Sequence, residues 1–167
     1  MSGRGVQLKP QMVDHDLSIQ IKTRRFGTIS VRSDTVITFP HGLVGMSELT
    51  RFALLEGSGP LQWLQSLDDP DATFVVAPMD QVLNGVIDPC GGDLELVGAD
   101  DDLSSLVALV LVTVPQDSPG ESTVNLMAPL LIHPDTRFGV QAILSEQFPL
   151  RHPAAEPFQS PHAVPIG

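Results

Sequence analysis

Tyrosine is missing from this sequence altogether, cysteine and tryptophan occur once each, and aromatic residues make up only 5% of the chain. A single cysteine, Cys90, leaves no partner for an intrachain disulfide and excludes a multi-cysteine zinc site. No window approaches the ~18 apolar residues that a membrane helix needs; the densest run, Leu106 to Val112, suits a buried strand. Arg4 and Lys9 are followed by no apolar core, so no secretory signal is expected and a cytoplasmic protein fits. Catalytic signatures are equally scarce. There is no Gly-x-Ser-x-Gly elbow, and His41, His133 and His152 form no His-x-x-x-His or Glu-x-x-His pair for a metal. Gly57-Ser58-Gly59 has the look of a phosphate loop, but no Lys follows and Pro60 removes a backbone donor. The neighbours of Cys90, Asp88 and Asp93, oppose a reactive thiolate. No cofactor is expected.

What is present is negative charge, and it is unevenly spread. The chain carries a formal −11 over 167 residues. From Phe52 to Thr136 there is no Lys or Arg, while the same stretch holds 14 carboxylates. Nine basic and six acidic residues lie outside it, so the middle is −14 and the ends +3. Such a field repels nucleic acid and speeds encounter with basic partners; a plain solubility surface is the bland alternative.

Length and a hydrophobic content of 42% suit one folded domain. Short alternating or β-branched segments recur between turn signals: Leu17 to Thr23, Thr28 to Val31, Thr35 to Phe39, Phe52 to Leu55, Leu61 to Leu67, Thr73 to Val76, Leu106 to Val114, Ser122 to Met127, Leu130 to His133 and Phe138 to Leu144. Asp93 to Gly98, acidic at its start and closed by Gly, reads as a short helix. Met79 to Ile87 reads as helix or edge strand. The expected fold class is all-β, mainly antiparallel: a small barrel-like or sandwich domain with one or two short helices.

The centre of this pattern is Leu61 to Pro78, a strand, an acidic turn at Asp68-Asp69-Pro70-Asp71, and a second strand. Residue types alone leave three readings of that turn. It can be the acidic contact of a binding module, the metal cluster of a metal-dependent hydrolase, or part of an acidic structural interaction domain. The calcium-loop spacing is missing, and the Pro favours a turn. The candidate partner-binding residues are Trp63, Asp68, Asp69, Asp71, Asp100, Asp101, Asp102 and Asn125. Trp63 is also a natural core residue, and Asn125 a natural satisfied amide.

Seven strings taken in order resemble the flagellar assembly factor FliW family. They are Thr23-Arg24-Arg25-Phe26-Gly27; Ile37 to Met46; Phe52-Ala53-Leu54-Leu55; Trp63 to Asp71 with Phe74-Val75-Val76; Val112-Thr113-Val114-Pro115; Thr123 to Leu130; and Phe148 to Pro153. The resemblance covers about Ile19 to Pro153. The chain departs from the family at Met79-Asp80-Gln81-Val82 and at Met46, where aromatics are usual. The resemblance implies a small β-barrel-like fold without enzymatic activity. It implies that the protein binds flagellin in the cytoplasm and, once flagellin is exported, binds the translational regulator CsrA. CsrA is then kept from repressing flagellin messenger RNA. The expected organisation is a flexible extension over 1–16, a monomeric β-domain over 17–152 and a Pro-rich tail over 153–167.

Overall fold

The computed structural model describes residues 18–82, 89, 91–99, 103–144 and 148–154. The alternation of Leu17 to Thr23 produces β1 (Ser18–Thr23), paired antiparallel with β2 (Gly27–Arg32) from Ser18 opposite Arg32 to Thr23 opposite Gly27. Ile21 and Val31 point inward while Gln20, Lys22 and Ser30 face water, as a half-buried hairpin requires.

The remaining strands are β3 (Ile37–Thr38), β4 (Arg51–Glu56), β5 (Gln62–Ser66), β6 (Thr73–Pro78), β7 (Val107–Thr113), β8 (Thr123–Val124), β9 (Leu130–Ile132), β10 (Gly139–Gln141) and β11 (His152–Pro153). They form one sheet in the order β10-β9-β7-β6-β5-β4-β3, with β8 beside β7 and β11 beside β8. Every ladder in it is antiparallel. Strands one and seven of such an alternating series run the same way. The sheet curls until these two edges meet in a single parallel bridge, Thr38 with Phe138, where the Thr38 N–H donates to the Arg137 carbonyl at 2.9 Å. The described residues therefore make a strongly curled, sandwich-like sheet rather than a continuous barrel.

Inside the curl lie Phe39, Phe52, Leu64, Val76, Leu109 and Leu130, at most 1% exposed. Phe39 and Phe52 meet edge to face with centroids 5.6 Å apart. Gly139 is required there, because a Cβ would lie 2.8 Å from the Phe39 ring. The helix α1 (Gly91–Val97) lays Leu94 and Val97 over Leu131, Val140 and Ala142 on the outside of β9 and β10. On the opposite flank the β1–β2 hairpin covers β4 through Ile21, Val31 and Ala53.

Several elements are shorter than the sequence suggests. Thr35 to Phe39 keeps only the two residues of β3, preceded by a 3-10 turn at Ser33–Thr35. Ser122 to Met127 keeps only β8, because Asn125 bends the chain. Its Oδ1 accepts from the Met127 and Ala128 N–H groups at 3.0 Å each. Phe138 to Leu144 is a strand only over β10, although Ala142 and Leu144 still donate to Pro129 and Met127. Met79 to Gln81 is a 3-10 turn, and 83–88 lies outside the described residues. Pro153 pairs with Thr123, the Ala154 N–H donates to the Ser122 carbonyl at 2.9 Å, and Ala154 is buried, so the folded part reaches at least to 154.

Candidate interaction site

The β5–β6 turn is built by side chains that bond backbone. Ser66 Oγ accepts from the Asp68 and Asp69 N–H groups at 3.0 Å each, and Asp69 Oδ1 accepts from the Asp71 N–H at 2.9 Å. Beneath them Gln65 is fully buried. Its amide donates to the Ser66 and Pro70 carbonyls and its Oε1 accepts from the Thr73 hydroxyl. The polar atoms of the Gln65 side chain are thus matched, which makes the turn rigid.

The β1–β2 hairpin reaches over to this turn. Thr23 Oγ1 donates to the Gly27 carbonyl at 2.7 Å and accepts from the Phe26 N–H at 2.9 Å, and Gly27 takes φ 69°, which closes the tip. The Arg24 N–H donates to the Pro70 carbonyl at 3.0 Å, tying tip to turn. Phe26 packs edge-on against Trp63 at 5.7 Å, and the Arg25 guanidinium lies 4.5 Å from the Trp63 ring centroid. This is why β5 is buried on both faces. Leu64 faces the interior of the curl, and Trp63 lies under the hairpin tip, 6% exposed.

The expected contact residues therefore divide. Asp69 and Asp71 are exposed at the turn. Asp68 is largely occupied: its carboxylate accepts from the Thr50 and Arg51 N–H groups at 2.9 and 3.0 Å, from the Thr50 hydroxyl at 3.4 Å and from Arg51 Nη2 at 3.2 Å. Burial acts to raise its pKa, but the two backbone donors and the Arg51 guanidinium outweigh it and hold the carboxyl below its ordinary value. Trp63 is a core anchor of the hairpin. Asn125 is the capping amide of the bend after β8. Asp100, Asp101 and Asp102 lie outside the described residues. The long connection that contains them leaves β6 at Pro78 and enters β7 beside Leu109, at the end of that ladder remote from the 67–72 turn.

Charge neutralisation is sparse. Among the described residues there are two ion pairs, Arg32 with Asp34 and Arg51 with Asp68. Of the described carboxylates between Phe52 and Thr136, only Asp68 is in an ion pair. No group of three or more His, Cys, Asp or Glu among the described residues is placed to hold a metal, and Asp68 and Asp69 spend oxygens on backbone N–H groups. The geometry offers the metal-dependent hydrolase reading no donor set there.

Sequence reasoning passed over Arg24 and Arg25. With Asp71 and Thr73 they line an open cleft of about 500 Å³ between hairpin and turn. The signal was available: an Arg pair at the tip of a hairpin, in a chain with few cations.

A family model described as FliW protein matches residues 20–154. The flagellar assembly factor FliW of Natranaerobius thermophilus is 37% identical over 139 residues, covering 81% of this chain and 91% of that protein. The FliW of Leptospira interrogans serovar Lai is 33% identical over 154 residues, covering 90% of this chain and all of its own length. A crystal structure of the flagellar assembly factor FliW superposes with a TM-score of 0.72 at 27% identity, covering 81% of this chain and 96% of the other. With matches that run from β1 to Ala154 and a shared curled antiparallel sheet, this chain belongs to the FliW family of flagellar assembly factors.

Proposed function

We propose that this protein acts by binding other macromolecules and catalyses nothing. In the cytoplasm it holds flagellin; once flagellin is exported it binds the translational regulator CsrA and lifts CsrA's repression of flagellin messenger RNA. The observation that carries this reading is the shortage of cations around the carboxylates of the 52–136 stretch, where Asp68 has the one ion pair among the described residues. An RNA-binding regulator presents a basic surface to phosphates. An anionic partner placed beside that surface lowers its affinity for RNA through the same long-range field that draws the two proteins together. Membership of a family of flagellar assembly factors agrees with such a role.

The test is a two-partner competition. CsrA immobilised at low salt captures the protein, and added flagellin releases it; raising ionic strength slows capture because exposed charges are screened beyond about 10 Å at 0.1 M salt. Failure to bind either partner at low salt ends the reading.

A further inference from the structure

The acidic body of the molecule carries a localised cationic seam. Of the seven Lys and Arg among the described residues, Lys22, Arg24, Arg25 and Arg51 line two consecutive clefts between the β1–β2 hairpin and the β5–β6 turn. One cleft, about 500 Å³, has Arg24, Arg25, Asp71 and Thr73 on its walls. The other, about 340 Å³, has Ile19 to Lys22 on one wall and Arg51, Leu67, Asp68 and Pro70 on the other. Both walls continue in chain order from one cleft to the next, with the Arg24 to Pro70 backbone bond between them.

Two features mark the larger cleft as a built site. Arg24 and Arg25 are exposed and make no ion pair among the described residues, although the protein is rich in carboxylates. Arg25 is also preorganised. Its guanidinium carbon lies 4.5 Å from the ring centroid of buried Trp63, a cation–π contact that restrains the side chain. A guanidinium fork held in this way matches a carboxylate, which accepts two parallel N–H bonds. Holding the side chain in advance lowers the entropy lost on binding.

We propose that this seam docks an acidic peptide segment of a partner protein, a carboxylate of which is taken by Arg24 and Arg25. A polyphosphate chain fits less well, because Asp71 lines the same cleft and the surrounding surface repels an extended polyanion. One or two carboxylates on a peptide with apolar spacers tolerate those neighbours. Docking of this kind is separate from the attraction of a basic partner, and is independent of whether CsrA or flagellin is the physiological ligand.

Trp63 makes the experiment direct, since it is the one Trp in the chain and there is no Tyr. The full-length protein is titrated at low salt with a short peptide carrying two Glu among Ala residues while tryptophan emission is followed. A Gln-Ala peptide and an oligouridylate of similar length are run beside it. The expected result is a saturable emission change with the Glu peptide and none with the Gln peptide. Arg25→Lys keeps the charge but loses the fork, and weakens binding by about tenfold. Arg24→Gln, which leaves the Trp63 contact intact, also weakens it, followed by anisotropy of a labelled peptide, whereas Arg151→Gln does not. Circular dichroism of each variant shows whether the fold is kept; if Arg25→Lys unfolds, Arg24→Gln decides. Three outcomes overturn the proposal: no saturable change with the Glu peptide, equal binding by Arg24→Gln, or tighter binding of the oligouridylate. Each can occur while the protein still captures CsrA and flagellin, so this inference and the proposed function fail separately.

Discussion

Two acidic residues, Asp68 at the β5–β6 turn and Asp93 in the first turn of α1, are treated by the fold in opposite ways. Four donors surround the Asp68 carboxylate, and its carboxyl is held below the ordinary value. For Asp93, burial pushes the carboxyl up and the nearby His41 offsets this only in part. The first carboxylate is structural cement: it joins the start of β4 to the turn after β5. The second is a charge that the fold tolerates at some cost. Composition counts them alike, and the difference lies in which backbone N–H groups each side chain reaches.

Three experiments break or sharpen this contrast. The turn that carries Asp68 rests on fully buried Gln65, so Gln65→Ala opens a cavity and strips partners from Thr73 and from the Ser66 and Pro70 carbonyls. A loss of about 2–4 kcal/mol is expected, measured by urea unfolding. Asp68→Ala is next. It leaves the Thr50 and Arg51 N–H groups without their acceptor and costs about 1–2 kcal/mol, whereas Asp68→Asn keeps an acceptor and costs less. The smallest effect belongs to Asp93→Asn, which removes a partly desolvated charge; discounted for solvent screening, the gain at pH 7 is at most about 0.5 kcal/mol. A loss of stability there would show that the helix-start charge matters more than its burial.

Acid titration separates the two residues by sign. A carboxyl lowered in the fold contributes stability that is complete above its unfolded value and is lost as pH falls through the folded value. Asp68 therefore supports the fold at neutral pH and gives way below the ordinary value of 3.8. A carboxyl raised in the fold does the reverse: its contribution is present at low pH and is lost as pH rises through the folded value. Stability measured downward from pH 6 should flatten in Asp68→Asn and steepen in Asp93→Asn. Equal profiles would erase the distinction.

Much of the fold was legible because its signals are local. Alternation gave β1 and β2, the β-branched run gave β7, and an acidic start with a closing Gly gave α1. The site was less legible because its contacts join segments far apart in the chain. Nothing near Asp68 in sequence announces that Thr50 and Arg51 will donate to it. Nothing near Trp63 says that Phe26 and Arg25 will cover the outer face of β5. Asn125 illustrates the same limit: it interrupts an apolar strand visibly, but only the fold reveals two backbone amides waiting for its oxygen. Charge segregation, being a count, was readable at once; which carboxylates remain available was not.

The odd number of strands in the curled sheet carries a mechanical consequence. The outer two of seven alternating strands meet at the join pointing the same way, and the wall is laced there by one bridge, by the Arg137 side chain, which donates to the Thr35 carbonyl at 2.6 Å, and by the Val44 N–H, which donates to Gln141 Oε1 at 2.8 Å. Every other border is a ladder of at least two paired residues. Under load or heat the girdle parts first at this hem, and the amide proton of Thr38, which bonds across it, exchanges with solvent before those of β5 to β7.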